Sequence, residues 1–226
     1  MEQKVALDIL KSGHNVFLTW SAWTGKTHVL KEYIHYLRDR WVKVAVTAST
    51  GLAATHLAGQ TIHSWSGLGI KDSLTENDLL KIAKRKKVRT RTENTQVLII
   101  DEISMLSGKA LSCIDQIMRY FKLSPEPFGG VQLVLCGDFF QLPPVSREVQ
   151  TSEEKFAFMA PIWLQAGLTI CYLLKQYRQD DDQLIAILSQ IRDGKIDDES
   201  LETLHEKIEN SWDIDEDHMT KLFTHL

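Results

Sequence analysis

The chain has 226 residues, 43% of them hydrophobic and 25% charged, which excludes both a disordered segment and a small disulfide-stapled scaffold. Because 26 basic and 30 acidic residues give a net charge of −4, any polyanionic partner has to be held by a local basic patch. The spacing of the three cysteines fits neither a disulfide framework nor a CxxC metal pair, so we expect an intracellular protein in a reducing compartment; they are Cys113, Cys136 and Cys171. No apolar run approaches the roughly 20 residues of a membrane helix, so we expect no membrane partner.

Predicted strands and helices alternate along the chain. A short apolar run over 16–19 predicts a strand, and apolar residues at helical spacing predict a helix over 26–38. Further strands are predicted over 42–46, 97–100 and 131–136, with a helix over 110–121. This alternation predicts an α/β fold in which right-handed crossovers build a parallel sheet flanked by helices, with ligands at the carboxyl ends of the strands.

The first of these strand ends carries half of a phosphate-binding loop. Gly25, Lys26 and Thr27 follow a strand and open a helix, as the Gly-Lys-Thr of a phosphate loop does. Lys26 would reach the β- and γ-phosphates and Thr27 would ligate Mg²⁺, while helix-terminal amides hold the anion. The alternative is a plain helix start.

Two tryptophans interrupt this loop. The full pattern requires glycine where the chain has Trp20, and Trp23 adds a second bulky ring in the middle of the loop. Either the indoles fill the phosphate cradle and abolish nucleotide binding, or they point outward and the amides from Thr24 to Thr27 still hold an anion. The sequence leaves both interpretations open.

Two further strand ends carry polar residues. The strand over 97–100 is followed by Asp101, predicted to bind Mg²⁺, and Glu102, predicted to orient and deprotonate the attacking water. The alternative is that they cap the next helix. Gln141 follows the strand over 131–136 and is predicted to sense the γ-phosphate, or else to belong to a simple turn that ends at Pro143 and Pro144.

Charge is distributed unevenly along the chain. The segment over 81–91 carries seven basic residues, whereas most of the charged residues after Ile196 are Asp or Glu. The basic segment is interpreted either as a solvated face or as a nucleic-acid contact. Its basic residues are Lys81, Lys84, Arg85, Lys86, Lys87, Arg89 and Arg91.

Several segments together resemble one family. These segments are Gln3, SAWTGKT, ASTGLAA, TIHSWSGLG, LIIDEISML, CGDFFQLPPV and LKQYRQ. In this order they resemble the Pif-one (petite integration frequency) family of superfamily-one DNA helicases, and the match covers about residues 2–180. The resemblance implies a RecA-like P-loop NTPase fold, ATP and Mg²⁺ as cofactors, and ATP-driven 5′-to-3′ movement along single-stranded DNA, with roles in DNA repair, recombination and telomere maintenance.

The resemblance also implies roles for individual residues. Gln3 would read adenine, and Gln141 and Arg178 would contact the γ-phosphate, where a guanidinium can stabilise charge on the transferred group. The remaining nucleotide contacts would be Ser21, Ala22, Thr24, Gly25, Lys26 and Thr27, and the hydrolytic residues Asp101 and Glu102. Single-stranded DNA would contact Ser49, Thr50, Gly51, His63, Ser64, Trp65, Phe139 and Phe140. For Trp65 and Phe140 base stacking and core packing remain equal alternatives, and His63 could be a core histidine.

The resemblance predicts a first RecA-like domain over 1–175 and, over 176–226, a linker with the beginning of a second RecA-like domain whose remainder is missing. We therefore expect a monomer that binds single-stranded DNA and DNA junctions but does not unwind DNA processively by itself. Two other function classes stay open: a nucleotide-incompetent DNA-binding or adaptor module, suggested by Trp20 and Trp23, and a small phosphotransferase on the same fold. We expect the compartment to be the cytoplasm of a prokaryote, or the nucleus or mitochondrion of a eukaryote.

Overall fold

A six-stranded, all-parallel sheet organises the larger part of the protein. The structure is a computed structural model and describes residues 1–19, 25–145, 155–173 and 182–210. The chain divides into two compact units, Met1–Arg178 and Gln179–Leu226. The sheet lies in the first unit, and its spatial order is β3-β2-β4-β5-β1-β6. Its strands are β1 Val16–Thr19, β2 Val44–Ala48, β3 Gln60–Thr61, β4 Val97–Asp101, β5 Gln132–Gly137 and β6 Thr169–Tyr172.

Helices connect and cover these strands. In the first unit they are α1 Gln3–Lys11, α2 Lys26–Asp39, α3 Gly51–His56, α4 Ile62–Ser66, α5 Glu76–Ala83, α6 Lys86–Asn94, α7 Gly108–Lys122 and α8 Pro161–Gln165. Short 3₁₀ turns occupy Ile103–Met105, Pro127–Gly130 and Ala157–Met159. The described part of the second unit contains α9 Asp182–Asp193 and α10 Asp198–Asn210. Among the described residues, no helix combines the length and apolar character needed to cross a bilayer.

The sheet separates two hydrophobic layers because successive side chains of a strand point to opposite faces. On β1, Phe17 packs into the layer formed with α4 to α8, whereas Val16 and Leu18 pack into the layer formed with α1 and α2. The same alternation places Leu98 in the first layer and Ile99 in the second. Burial on both faces explains why the central strands are continuously apolar in sequence.

The structure confirms the predicted α/β class and parallel sheet. β1 has the predicted bounds, whereas β2 lies two residues later than predicted, because Val42 and Lys43 precede the pairing with β4. The edge strands β3 and β6 were not predicted. β3 has only two residues, and β6 alternates between buried and exposed positions without a long apolar run.

Candidate functional site

The N-terminus of α2 combines features of an anion site. Gly25 has φ 85° and ψ 23°, a left-handed conformation that favours glycine, and a β-carbon there would overlap Nε2 of Gln3. The first turn of α2 has neither a side-chain cap nor an acidic residue, so its amides are not neutralised by a carboxylate of the helix. Because Gln3 lies against Gly25 and Lys26 is the first residue of α2, both side chains belong to the N-terminal end of α2.

Four of the predicted site residues lie outside the described residues: Ser21, Ala22 and Thr24 of the loop, and Arg178. The two tryptophans that interrupt the loop, Trp20 and Trp23, also lie outside them. The described part of the predicted nucleotide site consists of Gln3, Gly25, Lys26 and Thr27, with Thr27 exposed on the first turn of α2.

The end of β4 holds a buried carboxylate. Asp101 is only 7% exposed, and its Oδ1 accepts the backbone N–H of Glu102 at 3.0 Å. Burial raises the pKa of Asp101, while a hydrogen bond from the Cys136 thiol and the positive charge of Lys26 act in the opposite direction. The positive charge of Lys26 therefore favours the ionised form of the carboxylate at the end of β4.

Glu102 adopts an unusual backbone conformation. Its φ of 52° and ψ of 46° lie in the left-handed region, which costs a non-glycine residue on the order of 1–3 kcal/mol and is concentrated at functional sites. Burial and the neighbouring Asp101 charge raise the pKa of Glu102, against the effect of Lys26. A partly buried carboxylate with a raised pKa is suited to accept a proton from water.

A third carboxylate, Asp138, was not singled out from the sequence. It follows β5, is 2% exposed and adds its negative charge to the surroundings of Glu102. Its Oδ1 accepts the N–H of Phe140 at 3.1 Å, and its Oδ2 accepts from Nε2 of Gln141 at 3.3 Å. The signal was present in the sequence, because Asp138 follows a buried strand just as Asp101 does.

The close approach of β5 to the turn after β4 depends on Gly137. A β-carbon at Gly137 would lie 3.0 Å from both Cγ2 and the backbone N of Ile103. Glycine therefore lets Asp138 and Gln141 approach the Glu102 turn, and the structure brings Lys26, Asp101, Glu102 and Gln141 to one edge of the sheet.

The predicted DNA segment after β2 is attached to the carboxylates. Ala48 pairs with Asp101 across β2 and β4, which places Ser49 beside Glu102. The N–H of Ser49 donates to the Asp101 carbonyl at 3.0 Å, and its Oγ donates to the Glu102 carbonyl at 2.7 Å. The Thr50 hydroxyl accepts the N–H of Ala53 and caps α3, so its O–H can still donate outward, and Gly51 is exposed.

The second predicted DNA segment forms α4. Trp65 is 5% exposed and belongs to the core, which agrees with the packing interpretation. His63 is half-buried, and burial lowers its pKa, so it is neutral near pH 7. Ser64 is exposed.

The two phenylalanines after β5 differ in environment. Phe139 packs against Phe17, Phe158 and Trp163, with ring centroids 5.5, 4.7 and 5.7 Å away. Phe140 is 73% exposed. Phe140 therefore has the more exposed ring of this pair.

The donor set at the strand ends fits a magnesium ion bound together with a nucleotide. In the described part of the chain, no group of three or more His, Cys, Asp or Glu residues could hold a metal. Mg²⁺ does not need such a group, because it binds through one or two carboxylates together with phosphates and water. Asp101 would supply the carboxylate and Thr27 a hydroxyl for such an ion.

A cavity of about 890 Å³ lies elsewhere and does not coincide with this site. It is lined by residues of α2, β2 and α6, and Trp65 is the one predicted site residue in its lining. A smaller cavity of about 240 Å³ between α1 and α2 is lined by Gln3. Buried carboxylates and backbone geometry, rather than cavity size, therefore identify the site.

Comparison with known proteins agrees with this geometry. The model of the PIF1-like helicase family matches residues 1–202. An ATP-dependent DNA helicase Pif1 from Psychrobacter sp. (strain PRwf-1) is 56% identical over 199 residues, covering 85% of this chain and 30% of the relative.

Two solved structures share the fold. The crystal structure of Pif1 helicase from Candida albicans has a TM-score of 0.81 and 43% identity, covering 88% of this chain and 45% of that one. Pif1 helicase from Bacteroides in complex with ADP-AlF3 and ssDNA has a TM-score of 0.72 and 31% identity, covering 88% and 47%. The chain thus spans about a third of the Psychrobacter relative and under half of these solved chains. The matched family model, the relative and the shared fold show that the chain belongs to the PIF1-like helicase family.

Proposed function

We propose that the chain is the first RecA-like motor domain of an ATP-dependent DNA helicase that moves 5′ to 3′ along single-stranded DNA. The observation that carries the proposal is that Lys26 opens the helix after β1 while Asp101 and Glu102 stand at the carboxyl end of β4, so that all three lie at the same edge of a parallel sheet. The similarity to the Psychrobacter ATP-dependent DNA helicase Pif1 supports the same activity.

In this proposal the nucleotide phosphates bind at the N-terminus of α2. Lys26 neutralises the β- and γ-phosphates, the α2 amides donate to them, and Gln3 contacts adenine beside Gly25. Thr27 and Asp101 hold Mg²⁺, which when bound supplies charge that offsets the negative phosphates. The Bacteroides complex with ADP-AlF3 supports nucleotide use in the family.

Hydrolysis depends on Glu102. Its carboxylate orients the attacking water and takes the proton from it as the oxygen bonds to the γ-phosphorus and the bridging oxygen leaves with ADP. Gln141, held by Asp138, and Arg178 contact the γ-phosphate. The raised pKa of Glu102 makes it a stronger base than an ordinary exposed carboxylate.

Single-stranded DNA is proposed to follow the segments after β2, β3 and β5. Thr50 and Gly51 contact phosphates, Ser64 is an exposed hydroxyl of α4, and Phe140 offers an exposed ring for stacking. The Bacteroides complex containing ssDNA supports this partner. The proposal also includes DNA junctions as partners, a monomeric state and a reducing intracellular compartment. The compartment is supported by three buried free thiols.

Calorimetric titration with the Mg²⁺ complex of a non-hydrolysable ATP analogue tests the nucleotide site. We expect the wild-type chain to bind and Lys26→Ala to lose binding, while Lys31→Ala, at an exposed lysine of the same helix, binds as the wild type does. Binding by Lys26→Ala equal to the wild type would remove the phosphate site.

A Trp20→Gly/Trp23→Gly variant tests the role of the two indoles in the same titration. Equal affinity means that the rings leave the cradle open. Binding only after both glycines are restored would instead support a nucleotide-incompetent DNA-binding module.

A further inference from the structure

Ser49 is attached to the strand end that carries the hydrolytic carboxylates. A serine has one backbone N–H and one hydroxyl hydrogen to donate. In this structure the N–H donates to the Asp101 carbonyl at 3.0 Å and the hydroxyl to the Glu102 carbonyl at 2.7 Å. Both donors of Ser49 are therefore used inside the protein, and neither is left for a DNA phosphate.

The Glu102 carbonyl accepts a second hydrogen bond from the opposite direction. The N–H of Met105 donates to it at 3.1 Å and closes the 3₁₀ turn over Ile103–Met105. The turn fixes this carbonyl from the C-terminal side and Ser49 fixes it from β2. These bonds hold Glu102 in its left-handed conformation, which a glutamate does not favour by itself.

We propose that Ser49 is a positioning residue for ATP hydrolysis, which holds the Glu102 backbone so that its carboxylate faces the attacking water, rather than a DNA contact. The inference rests on the proposed function, because it takes Glu102 as the general base. It concerns a different step from the DNA contact that the sequence suggested, and it predicts a loss of rate rather than a loss of DNA affinity.

The hydrogen bond from Ser49 to Glu102 also connects the general base to the proposed DNA segment. Thr50, the chain neighbour of Ser49, caps α3 and can donate its O–H outward to DNA. A bound DNA strand that displaces Thr50 and Gly51 therefore also moves Ser49, the preceding residue of the chain. Ser49 transmits this movement to the Glu102 backbone through its 2.7 Å hydrogen bond to the Glu102 carbonyl. Ser49 thus links the proposed DNA segment directly to the general base.

The test compares hydrolysis and binding in the whole 226-residue chain. Hydrolysis of radiolabelled ATP is followed with enzyme in excess, so that one slow turnover is counted, and Lys26→Ala sets the background. Affinity for a fluorescent oligo-dT is measured by anisotropy. Ser112→Ala is the matched control, because its hydroxyl donates to a backbone carbonyl within α7, 3.0 Å away, without touching the site.

For Ser49→Ala we expect the hydrolysis rate to fall about tenfold or more, within the roughly hundredfold that a 1 Å misplacement of a catalytic group costs. Oligo-dT affinity and ATP-analogue affinity should stay at their wild-type values. Ser49→Thr, which keeps the hydroxyl, should restore most of the rate, and Ser112→Ala should leave the rate and both affinities unchanged. Thr50→Ala should weaken oligo-dT binding.

A wild-type rate in Ser49→Ala, or weakened oligo-dT binding without a loss of rate, would overturn the positioning role. If the wild-type chain hydrolyses no faster than Lys26→Ala, the comparison moves to affinity for ADP–aluminium fluoride. The positioning role then requires Ser49→Ala to bind this transition-state analogue more weakly than the wild type and the ground-state analogue equally well.

Ser49→Cys, with a weaker donor, provides an intermediate rate if Ser49→Ala loses its cooperative thermal transition. Failure of the proposed function shows itself separately, because the wild-type chain would then bind neither nucleotide nor oligo-dT.

Discussion

The ends of β4 and β5 and the predicted DNA segments use polar and aromatic residues in contrasting ways. At the strand ends Asp101 and Asp138 are buried and accept backbone hydrogen bonds, which restrict the orientation of each carboxylate. The DNA segments are mixed, since Thr50 faces outward in part, Trp65 is buried and Phe140 is exposed.

This contrast shows that a sequence motif predicts a catalytic site more completely than it predicts a DNA-contact surface. Bond-breaking chemistry needs fixed geometry, and burial with full hydrogen bonding provides it. Contact with a sliding strand needs exposed groups, so burial decides which residues of a motif can serve. A resemblance transfers the residue types of both regions, whereas exposure has to be determined residue by residue.

The largest expected effect is on hydrolysis and tests the carboxylates at the strand ends. Glu102→Gln removes the general base and keeps the side chain's size, so we expect hydrolysis to fall about 10²- to 10⁴-fold while ATP-analogue affinity is retained. Single-turnover hydrolysis and calorimetry measure the two quantities. Glu76→Gln, at an exposed glutamate of α5, is the control. Full activity in Glu102→Gln would transfer the base function to another residue.

Trp65→Ala and Phe140→Ala test the division between buried and exposed aromatics. We expect Trp65→Ala to lower the free energy of unfolding by about 3–5 kcal/mol, as large-to-small substitutions in a core do. Phe140→Ala should change it by less than about 0.5 kcal/mol and weaken oligo-dT binding instead. Denaturant unfolding and anisotropy separate the two. An unchanged unfolding free energy in Trp65→Ala, with DNA binding abolished, would make Trp65 a contact residue.

The basic run over α5 and α6 offers a smaller effect, spread over an exposed surface. Lys84 and Lys86 are exposed, whereas Arg85 donates to the Gly67 carbonyl at 3.3 Å. Reversing both lysines to glutamate should weaken oligo-dT binding and reduce its salt dependence, by a slope of about 0.7 for each DNA phosphate that the protein no longer neutralises. The same reversal at Lys11 and Lys31 changes the net charge equally. Equal weakening by both pairs would indicate a general charge effect.

The smallest effect concerns His63. Since burial lowers its folded pKa, the unfolded chain takes up the proton first as the pH falls below about 6.5. The unfolding free energy should therefore decrease over this interval and level off below the folded pKa, and His63→Gln should abolish this decrease. Denaturant unfolding at about pH 7.5 and about pH 5.5 measures the difference. An equal decrease in the variant would assign the loss to other groups.

Much of the fold was predictable because its strands are buried on both faces. The residues from Val97 to Ile100 are continuously apolar, and the candidate catalytic residues Asp101 and Glu102 follow them directly. The apolar run therefore predicted the strand, and the strand predicted the position of the two carboxylates. The two-residue β3 and the half-exposed β6 gave no such signal, because their positions depend on neighbours distant in sequence.

The sequence by itself determined the α/β class, the family resemblance and the residue types at the strand ends, because these depend on local periodicity and on short motifs. Only the tertiary structure decided that Glu102 is left-handed, that Ser49 donates to it, that Asp138 joins the carboxylates and that Trp65 is buried. Each of these depends on segments from different strands meeting at one edge of the sheet. The physical reason is that backbone strain, burial and pKa are set by neighbours in space, which a motif does not specify.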